Sequence, residues 1–142
     1  MKYHFKIHKE EKGFWAECLE LDGCITQGDD RRHLELMMTD AVSAYLEEPE
    51  SSKHVFPMPD PTLKGRNIVA VPVDPKIAMA MVVRQSRLER SLTQRQVADK
   101  LGMKHISQYQ KLESGKTANP ELTTLVKLKN LYPNLSIDSV LA

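Results

Sequence analysis

Apolar and polar residues alternate along the first part of the chain, which is the period of a strand with one buried face. Tyr3, Phe5 and Ile7 share one face, and histidine or lysine side chains occupy the other. A charged turn that closes at Gly13 leads into a second alternating stretch, so we predict an antiparallel hairpin. A third short strand is predicted at residues 24–26.

Helical spacing replaces this alternation after Asp30, which is placed to cap the N-terminus of a helix. Apolar residues then recur every three or four positions, and we predict that the helix ends near Glu48. Residues 49–66 hold four prolines and little periodicity, so we predict an extended connection that packs little. One more strand is predicted at 68–73. The order β-β-β-α-β is an open α+β layer in which the helix covers one sheet face.

The rest of the chain is purely helical in pattern. A first helix is predicted at 76–91, and a second opens at Thr93, which forms a capping box with Gln96 three residues later. Gly102 ends the second helix, and a third is predicted at 105–114. One side of this third helix is predicted to hold Ile106, Tyr109, Leu112 and Glu113.

Two further helices are predicted near the end of the chain. Asn119 caps the first with Pro120 at its first helical position, and Ser136 precedes the second. The residues expected in the core of the first are Leu122, Leu125, Val126, Leu128 and Leu131. The predicted fold class is α+β, with a β-β-β-α-β domain at residues 1–74 that includes the proline-rich segment, and an all-α five-helix domain at residues 75–142.

Charge divides the chain at the same point. The 142 residues carry a formal net charge of only +1, but residues 1–74 hold 9 Lys and Arg against 14 Asp and Glu, and residues 75–142 hold 11 against 5. Net charges of −5 and +6 predict two domains with different partners, the basic one suited to a polyanion. No apolar run approaches about 18 residues and no apolar signal core follows Met1, so we expect a cytoplasmic protein without a membrane span.

The basic half contains the spacing of two helices joined by a DNA-binding turn. One motif runs Leu92-Thr-Gln-Arg-Gln-Val-Ala-Asp-Lys-Leu-Gly102, and a second runs Ile106-Ser-Gln-Tyr-Gln-Lys-Leu-Glu-Ser-Gly115. Together they resemble the helix-turn-helix of XRE/Cro-like repressors. The small Ala98 lets the second and third helices cross closely, and Gly102 permits the turn. The resemblance implies operator DNA as a partner, bound by a homodimer or a higher homo-oligomer.

Polar residues on and around the third helix are the candidates for DNA contact. Those that point away from the apolar side suit the reading of base edges, while Gln94 and Lys116 flank the helix where phosphates would lie. The full set is Gln94, Lys104, Ser107, Gln108, Lys111 and Lys116.

The start of the third helix is left open by its spacing. Between Gly102 and Glu113 the chain has one residue more than is usual for this motif. In one alternative Ser107 caps the helix with Gln110 at the third helical position, so that Ser107 is structural and Lys104, Gln108 and Lys111 keep the reading role.

A second resemblance lies in the N-terminal part and is carried by three motifs. They are Tyr3-x-Phe-x-Ile, Gly13-Phe-Trp-Ala-Glu and Leu21-Asp-Gly-Cys-Ile-Thr-Gln-Gly-Asp. Residues 1–74 resemble the HicB antitoxin family, with Leu19 and Asp22 where proline is usual, and many members carry a C-terminal DNA-binding domain. The resemblance implies a partial ribonuclease-H-like domain that binds and blocks a HicA-type toxin, a ribonuclease that cleaves mRNA through a histidine on a double-stranded-RNA-binding fold.

Acidic residues of the first domain are the candidates for the toxin contact, because a basic RNA-cleaving partner suits a negatively charged surface. We expect Glu17, Glu20 and Asp22 to form this surface. With Asp29 and Asp30 these residues invite comparison with a two-metal nuclease, but no spacing forces them together. We therefore predict no catalytic residue, no metal, no cofactor and no enzymatic activity. Cys18 and Cys24 with two strand histidines, His4 and His8, also match no closed zinc pattern.

Two other functions fit the same sequence. One is a helix-turn-helix regulator whose N-terminal domain senses a small ligand. The other is a metal-dependent nuclease or phosphatase built on the acidic residues. A five-helix bundle that binds protein instead of DNA would share the helical pattern of the second domain.

Overall fold

A computed structural model describes residues 1–49 and 52–142 and confirms a mixed α+β chain, with a four-stranded antiparallel sheet followed by helices. The chain forms two compact units. The first comprises Met1–Leu46 and Phe56–Asp74, and the second comprises Glu47–Val55 and Pro75–Ala142. Asp74, where the sequence suggests a boundary, is one of the points at which the chain passes from the first unit to the second.

The first unit is built on a sheet with strand order β3-β2-β1-β4. Its strands are β1 (Lys2–Lys9), β2 (Phe14–Cys18), β3 (Ile25–Gly28) and β4 (Ile68–Pro72). The predicted hairpin is confirmed, because Phe5 pairs with Cys18 and Ile7 pairs with Ala16 in antiparallel register. Tyr3, Phe5 and Ile7 are all buried, as the alternation predicts.

A single long helix, α1 (Arg31–Leu46), packs against β2, β3 and β4. Its buried stripe is Leu34, Met38, Val42 and Leu46. Asp30 caps it as predicted, because the Asp30 Oδ1 atom accepts a hydrogen bond of 2.8 Å from the His33 N–H. Gly28 allows the close approach of helix and strand, since a Cβ atom there would lie 2.5 Å from the Leu34 nitrogen. The helix ends at Leu46, slightly earlier than expected.

The proline-rich segment differs from the extended connection that the sequence predicts. From Phe56 onward it belongs to the first unit, where Phe56 is 4% exposed and the Tyr3 hydroxyl donates a 2.7 Å hydrogen bond to the Pro57 carbonyl. The part before Phe56 belongs to the second unit, where Arg84 Nη2 donates to the His54 carbonyl at 3.3 Å. The segment therefore packs more than the sequence predicts, because the side chains of Tyr3 and Arg84 donate hydrogen bonds to its backbone carbonyls.

The second unit contains the helices expected for an all-α domain. In the described part of the chain they are α2 (Pro75–Glu89), α3 (Gln94–Lys100), α4 (Ile106–Gln110) with a 3-10 turn at Lys111–Glu113, α5 (Leu122–Leu131) and α6 (Ile137–Leu141). None of the described helices of the whole chain is long and apolar enough to cross a membrane.

Helix α5 corrects two details of the sequence prediction. It begins at Leu122 with Glu121 as its N-cap, because Glu121 is extended, with φ −65° and ψ 159°. The predicted cap at Asn119 is therefore wrong. Of the five residues expected in its core, Leu128 is fully buried, whereas Leu122 is 78% exposed and Val126 is 55% exposed.

Candidate nucleic-acid interface

Helix α3 is fixed at both ends by residues that the sequence predicts. The Thr93 Oγ1 atom accepts the Gln96 N–H at 3.1 Å, and the Gln96 Oε1 atom accepts the Thr93 N–H at 2.9 Å, which confirms the capping box. At the other end Gly102 has φ +72°, a left-handed conformation that glycine adopts without strain. Ala98 is fully buried, as expected where two helices cross closely.

Helix α4 begins at a residue that differs from the Ser107 alternative. Its N-cap is His105, and the side chain of Gln108 at the third helical position accepts the His105 N–H at 3.1 Å. Ser107 is therefore inside the first turn and exposed, so the alternative in which it caps the helix is wrong. The physical reason is that Gln108 reaches back to satisfy a free backbone donor at the helix start.

The outer side of α4 and its flanks presents polar and basic side chains to solvent. Five of the six DNA-binding candidates are exposed: Lys104, Ser107, Gln108, Lys111 and Lys116. The sixth, Gln94, is half-buried and bonded inside the unit. Its Nε2 atom donates to Glu113 Oε2 at 2.9 Å, and its Oε1 atom accepts from Gln110 Nε2 at 3.2 Å.

A buried ion pair lies directly behind this surface. Arg87 donates from Nε to Glu113 Oε1 at 2.6 Å and from Nη2 to Glu113 Oε2 at 3.1 Å. The two side chains are only 9% and 1% exposed. The Tyr109 hydroxyl donates a further 2.7 Å hydrogen bond to Glu113, and the Arg87 Nη1 atom donates to the Leu92 carbonyl at 2.9 Å. The network joins α2, α3, α4 and the turn between α2 and α3, so it holds the helix-turn-helix together.

Sequence reasoning places Glu113 on the packing side of the third helix but assigns no partner to it. A carboxylate in that position requires a cation, because an unpaired buried charge is very costly. Arg87 lies on α2, the helix before the motif, among the buried residues of that helix. A basic residue at a packing position of α2 is therefore the sequence signal that points to a partner for Glu113.

Burial changes the acidity of the groups around Glu113. Burial by itself lowers the pKa of the Arg87 guanidinium, but the hydrogen bonds and the charge of Glu113 raise it above its usual value. Burial, and then the negative charge of Glu113, raise the pKa of Tyr109 well above the usual tyrosine value. Burial also raises the pKa of Tyr132, whose hydroxyl lies 3.4 Å from that of Tyr109. At neutral pH the arginine is therefore charged and both tyrosines are neutral.

The acidic residues of the first unit divide into internal and external ones. Glu20 is 5% exposed and is bonded to His4 Nδ1 at 2.7 Å, to the His4 N–H at 2.9 Å and to the Asp60 N–H at 3.3 Å. Glu17 is 39% exposed and lies 3.0 Å from His8, whose ring stacks on Trp15. Asp22 is exposed. Only Glu17 and Asp22 of the three candidates thus present a carboxylate to solvent.

The described residues contain no group of three or more His, Cys, Asp and Glu side chains that could hold a metal ion. Cys18 and Cys24 are free, buried thiols in the first unit. A hydrogen bond to Cys24 and burial raise the pKa of the Cys18 thiol, so this group stays protonated.

Comparison with known families gives a match within the second unit. Residues 83–139 match the helix-turn-helix family HTH_3, an XRE-like family, over a range that includes α3, α4 and α5. The predicted helix-turn-helix is thereby confirmed, and the match supports a DNA-binding transcription regulator. A search of curated proteins gives no match to the chain.

Proposed function

We propose that this DNA-binding regulator is the antitoxin of a type II toxin–antitoxin system. In this proposal the first unit, a partial ribonuclease-H-like domain of the HicB type, binds and inhibits a HicA-type mRNA ribonuclease. The second unit represses the operon that encodes both proteins. The HTH_3 match carries the DNA-binding half of the proposal, and the HicB-like motifs of residues 1–74 support the toxin half.

The second unit would read DNA with the outer side of α4. A helix-turn-helix places its second helix in the major groove, where glutamine and lysine side chains suit purine edges. Gln108 and Lys111 are exposed on that side and are assigned to base reading, with Lys104 and Ser107 beside them. Lys116 is assigned to phosphate, because it follows the helix and its ammonium group suits a point contact.

Two copies would bind together, because one helix-turn-helix covers only a half-site. The exposed apolar residues Leu122 and Val126 lie one helical turn apart on α5 and support self-association through this face. Leu141 at the end of α6 is also an exposed apolar residue, with 75% of its surface accessible.

The first unit would meet a basic toxin mainly through charge. Because residues 47–55 belong to the second unit, the first unit carries 8 basic and 11 acidic residues, a net charge of −3. This excess is smaller than the −5 of residues 1–74, but its sign still suits a positively charged partner. We assign Glu17 and Asp22 to the contact surface. Glu20 is assigned to holding the sheet, since its oxygens are bonded inside the unit. The proposal includes no catalytic residue, no metal and no cofactor.

Co-expression with the product of the adjacent gene tests the toxin half. We expect that the neighbour alone arrests growth, that co-expression restores growth, and that the two proteins co-purify. A chain of residues 1–74 contains the whole first unit and should also restore growth. If the neighbour is not toxic and nothing co-purifies, the antitoxin proposal fails, and the regulator that senses a small ligand becomes the favoured interpretation because the helix-turn-helix match still stands.

Gel-shift assays on the DNA upstream of the gene test the regulatory half independently. We expect a complex with a pseudo-palindromic sequence whose half-sites lie about one helical turn apart. Residues 1–74 alone should give no complex, because they lack the helix-turn-helix. Full DNA binding by that shortened chain would overturn the assignment.

A further inference from the structure

A cleft beside the DNA-reading helix includes a lysine that lies outside the helix-turn-helix. The cleft has a volume of about 630 Å³ and is lined by residues of α2, the following turn, α3 and α4. Ser52 and Lys53, from the segment that precedes Phe56, complete its wall. All of these residues belong to the second unit.

The charge of this cleft is positive. Its basic side chains are Lys53, Arg87 and Arg95, and none of the described residues that line it is acidic. Arg87 is already paired with Glu113. Lys53 and Arg95 are exposed, and neither forms a salt bridge with a residue that the structure describes. Lys53 and Arg95 therefore bring two positive charges to an open cleft, with no salt-bridge partner among residues 1–49 and 52–142.

The location of the cleft matches the path of a DNA backbone. Ile106, the first residue of α4, lines it together with Thr93 and Gln94 at the start of α3. A helix that lies in the major groove has a phosphate backbone along each side, and basic residues next to the helix contact those phosphates. An anion in this cleft would thus be the DNA strand next to the N-terminal end of α4.

The segment that carries Lys53 is anchored to the unit. Arg84, which is 2% exposed, donates from Nη2 to the His54 carbonyl at 3.3 Å. The backbone next to Lys53 is therefore positioned, while its long side chain keeps the freedom to follow a phosphate. A residue far from the motif in sequence is in this way brought to the cleft that also includes Ile106, the first residue of α4.

We propose that Lys53, which lies in the part of the second unit formed by Glu47–Val55, contacts a DNA phosphate next to the start of α4. This contact would add to the affinity for DNA of any sequence. This inference rests on the DNA-binding role of the second unit. Arg95 lines the same cleft and would share the phosphate path. The family match begins at residue 83, so Lys53 is a contribution of this chain outside the matched domain.

The test is a salt titration of the full chain with a fluorescein-labelled duplex of mixed sequence. The duplex is about 30 base pairs long, which leaves room for two copies bound one helical turn apart. Binding is followed by fluorescence anisotropy between about 50 and 200 mM salt. Lys53→Gln removes the charge, and Lys53→Arg keeps it. The matched control is Lys64→Gln, which removes an exposed lysine from the first unit.

Each phosphate contact contributes about 0.9 to the slope of log affinity against log salt. Lys53→Gln should lower the slope by about 0.9 per bound chain, and at about 0.1 M salt the affinity should fall about eightfold per chain. The loss should be the same on any sequence, Lys53→Arg should restore most of it, and Lys64→Gln should behave like the unaltered protein. Circular dichroism of Lys53→Gln should be unchanged, because the side chain is exposed.

Two results would overturn the proposal, and they are distinguishable. If Lys53→Gln keeps the original slope and affinity while Lys116→Gln lowers both, DNA binding stands and the Lys53 contact is refuted. If the unaltered chain shows no salt-dependent DNA binding at all, the regulatory function and the Lys53 contact both fail.

Discussion

Removal of the Glu113 carboxylate should cost the second unit a large part of its stability. Glu113 accepts four hydrogen bonds, two from Arg87, one from Tyr109 and one from Gln94, which together use the acceptor sites of a carboxylate. Glu113→Ala leaves the Arg87 guanidinium, 9% exposed, without its counter-charge. Breaking a buried pair in this way costs about 3–5 kcal/mol, against a total stability of about 5–15 kcal/mol for a typical domain. At about 4–8 °C per kcal/mol the melting temperature should fall by tens of degrees.

Two further variants separate the charge from the shape. Glu113→Gln keeps the size of the side chain but leaves Arg87 without its counter-charge and replaces one acceptor oxygen by an NH2 donor among other donors, so it should also cost about 3–5 kcal/mol. The double variant Arg87→Met with Glu113→Leu removes both charges and should be less destabilised than Glu113→Ala, because no isolated charge is left in the interior.

Urea denaturation of the full chain measures these differences. Far-ultraviolet circular dichroism follows the helices, and fluorescence of Trp15, the single tryptophan, follows the sheet of the first unit as an internal control. We expect the helical transition to move while the Trp15 transition moves much less. A loss below about 1 kcal/mol for Glu113→Ala, typical of a single neutral hydrogen bond, would refute the reasoning, as would a double variant that is destabilised as much as Glu113→Ala or more.

Three other expectations follow from the same geometry. Gln108→Ala should lower the preference for operator over mixed-sequence DNA by about 1–3 kcal/mol in anisotropy titrations, whereas Lys116→Ala should weaken both alike; an unchanged preference in Gln108→Ala contradicts the assignment. Because burial raises the pKa of Tyr109, the folded chain keeps a proton that the unfolded chain releases above about pH 10, so stability measured in urea should fall as pH rises past that value. Tyr109→Phe should flatten this fall, and an equally steep decline would contradict it. Glu17→Lys should slow toxin association in stopped-flow measurements and leave DNA affinity unchanged, whereas Glu20→Lys should unfold the first unit; equal effects of both on association alone would remove the distinction between external and internal carboxylates.

Local signals are what the sequence predicts well. The hairpin, the Asp30 cap, the capping box at Thr93 and the turn at Gly102 each depend on residues only a few positions apart. Alternation and capping chemistry therefore suffice to place them. The start of α4 was harder, because Ser107 and His105 are both possible caps and the choice depends on where the Gln108 side chain turns.

Long-range packing is what the sequence leaves undecided. Periodicity shows that Leu122 and Val126 share a face of α5, but it does not show whether another element of the chain covers that face. Prolines in residues 49–66 predict a lack of regular hydrogen bonding, but they do not exclude packing of Phe56 or bonds to its neighbouring carbonyls. In both cases the outcome depends on residues distant in sequence.

Gln94 shows how the buried network also limits the ways in which the unit can contact DNA. A side-chain amide has two N–H donors and one carbonyl acceptor with two lone pairs. One Gln94 N–H is used by Glu113, and its carbonyl accepts from Gln110, so one N–H is left that could reach a phosphate. A substitution at Gln94 therefore changes the support of α4 and the DNA contact together, because the same amide serves both. Lys116 and Lys53 do not have this double role, since both are exposed and neither is bonded to Glu113. They are the positions at which affinity can be changed while the fold behind α4 stays intact.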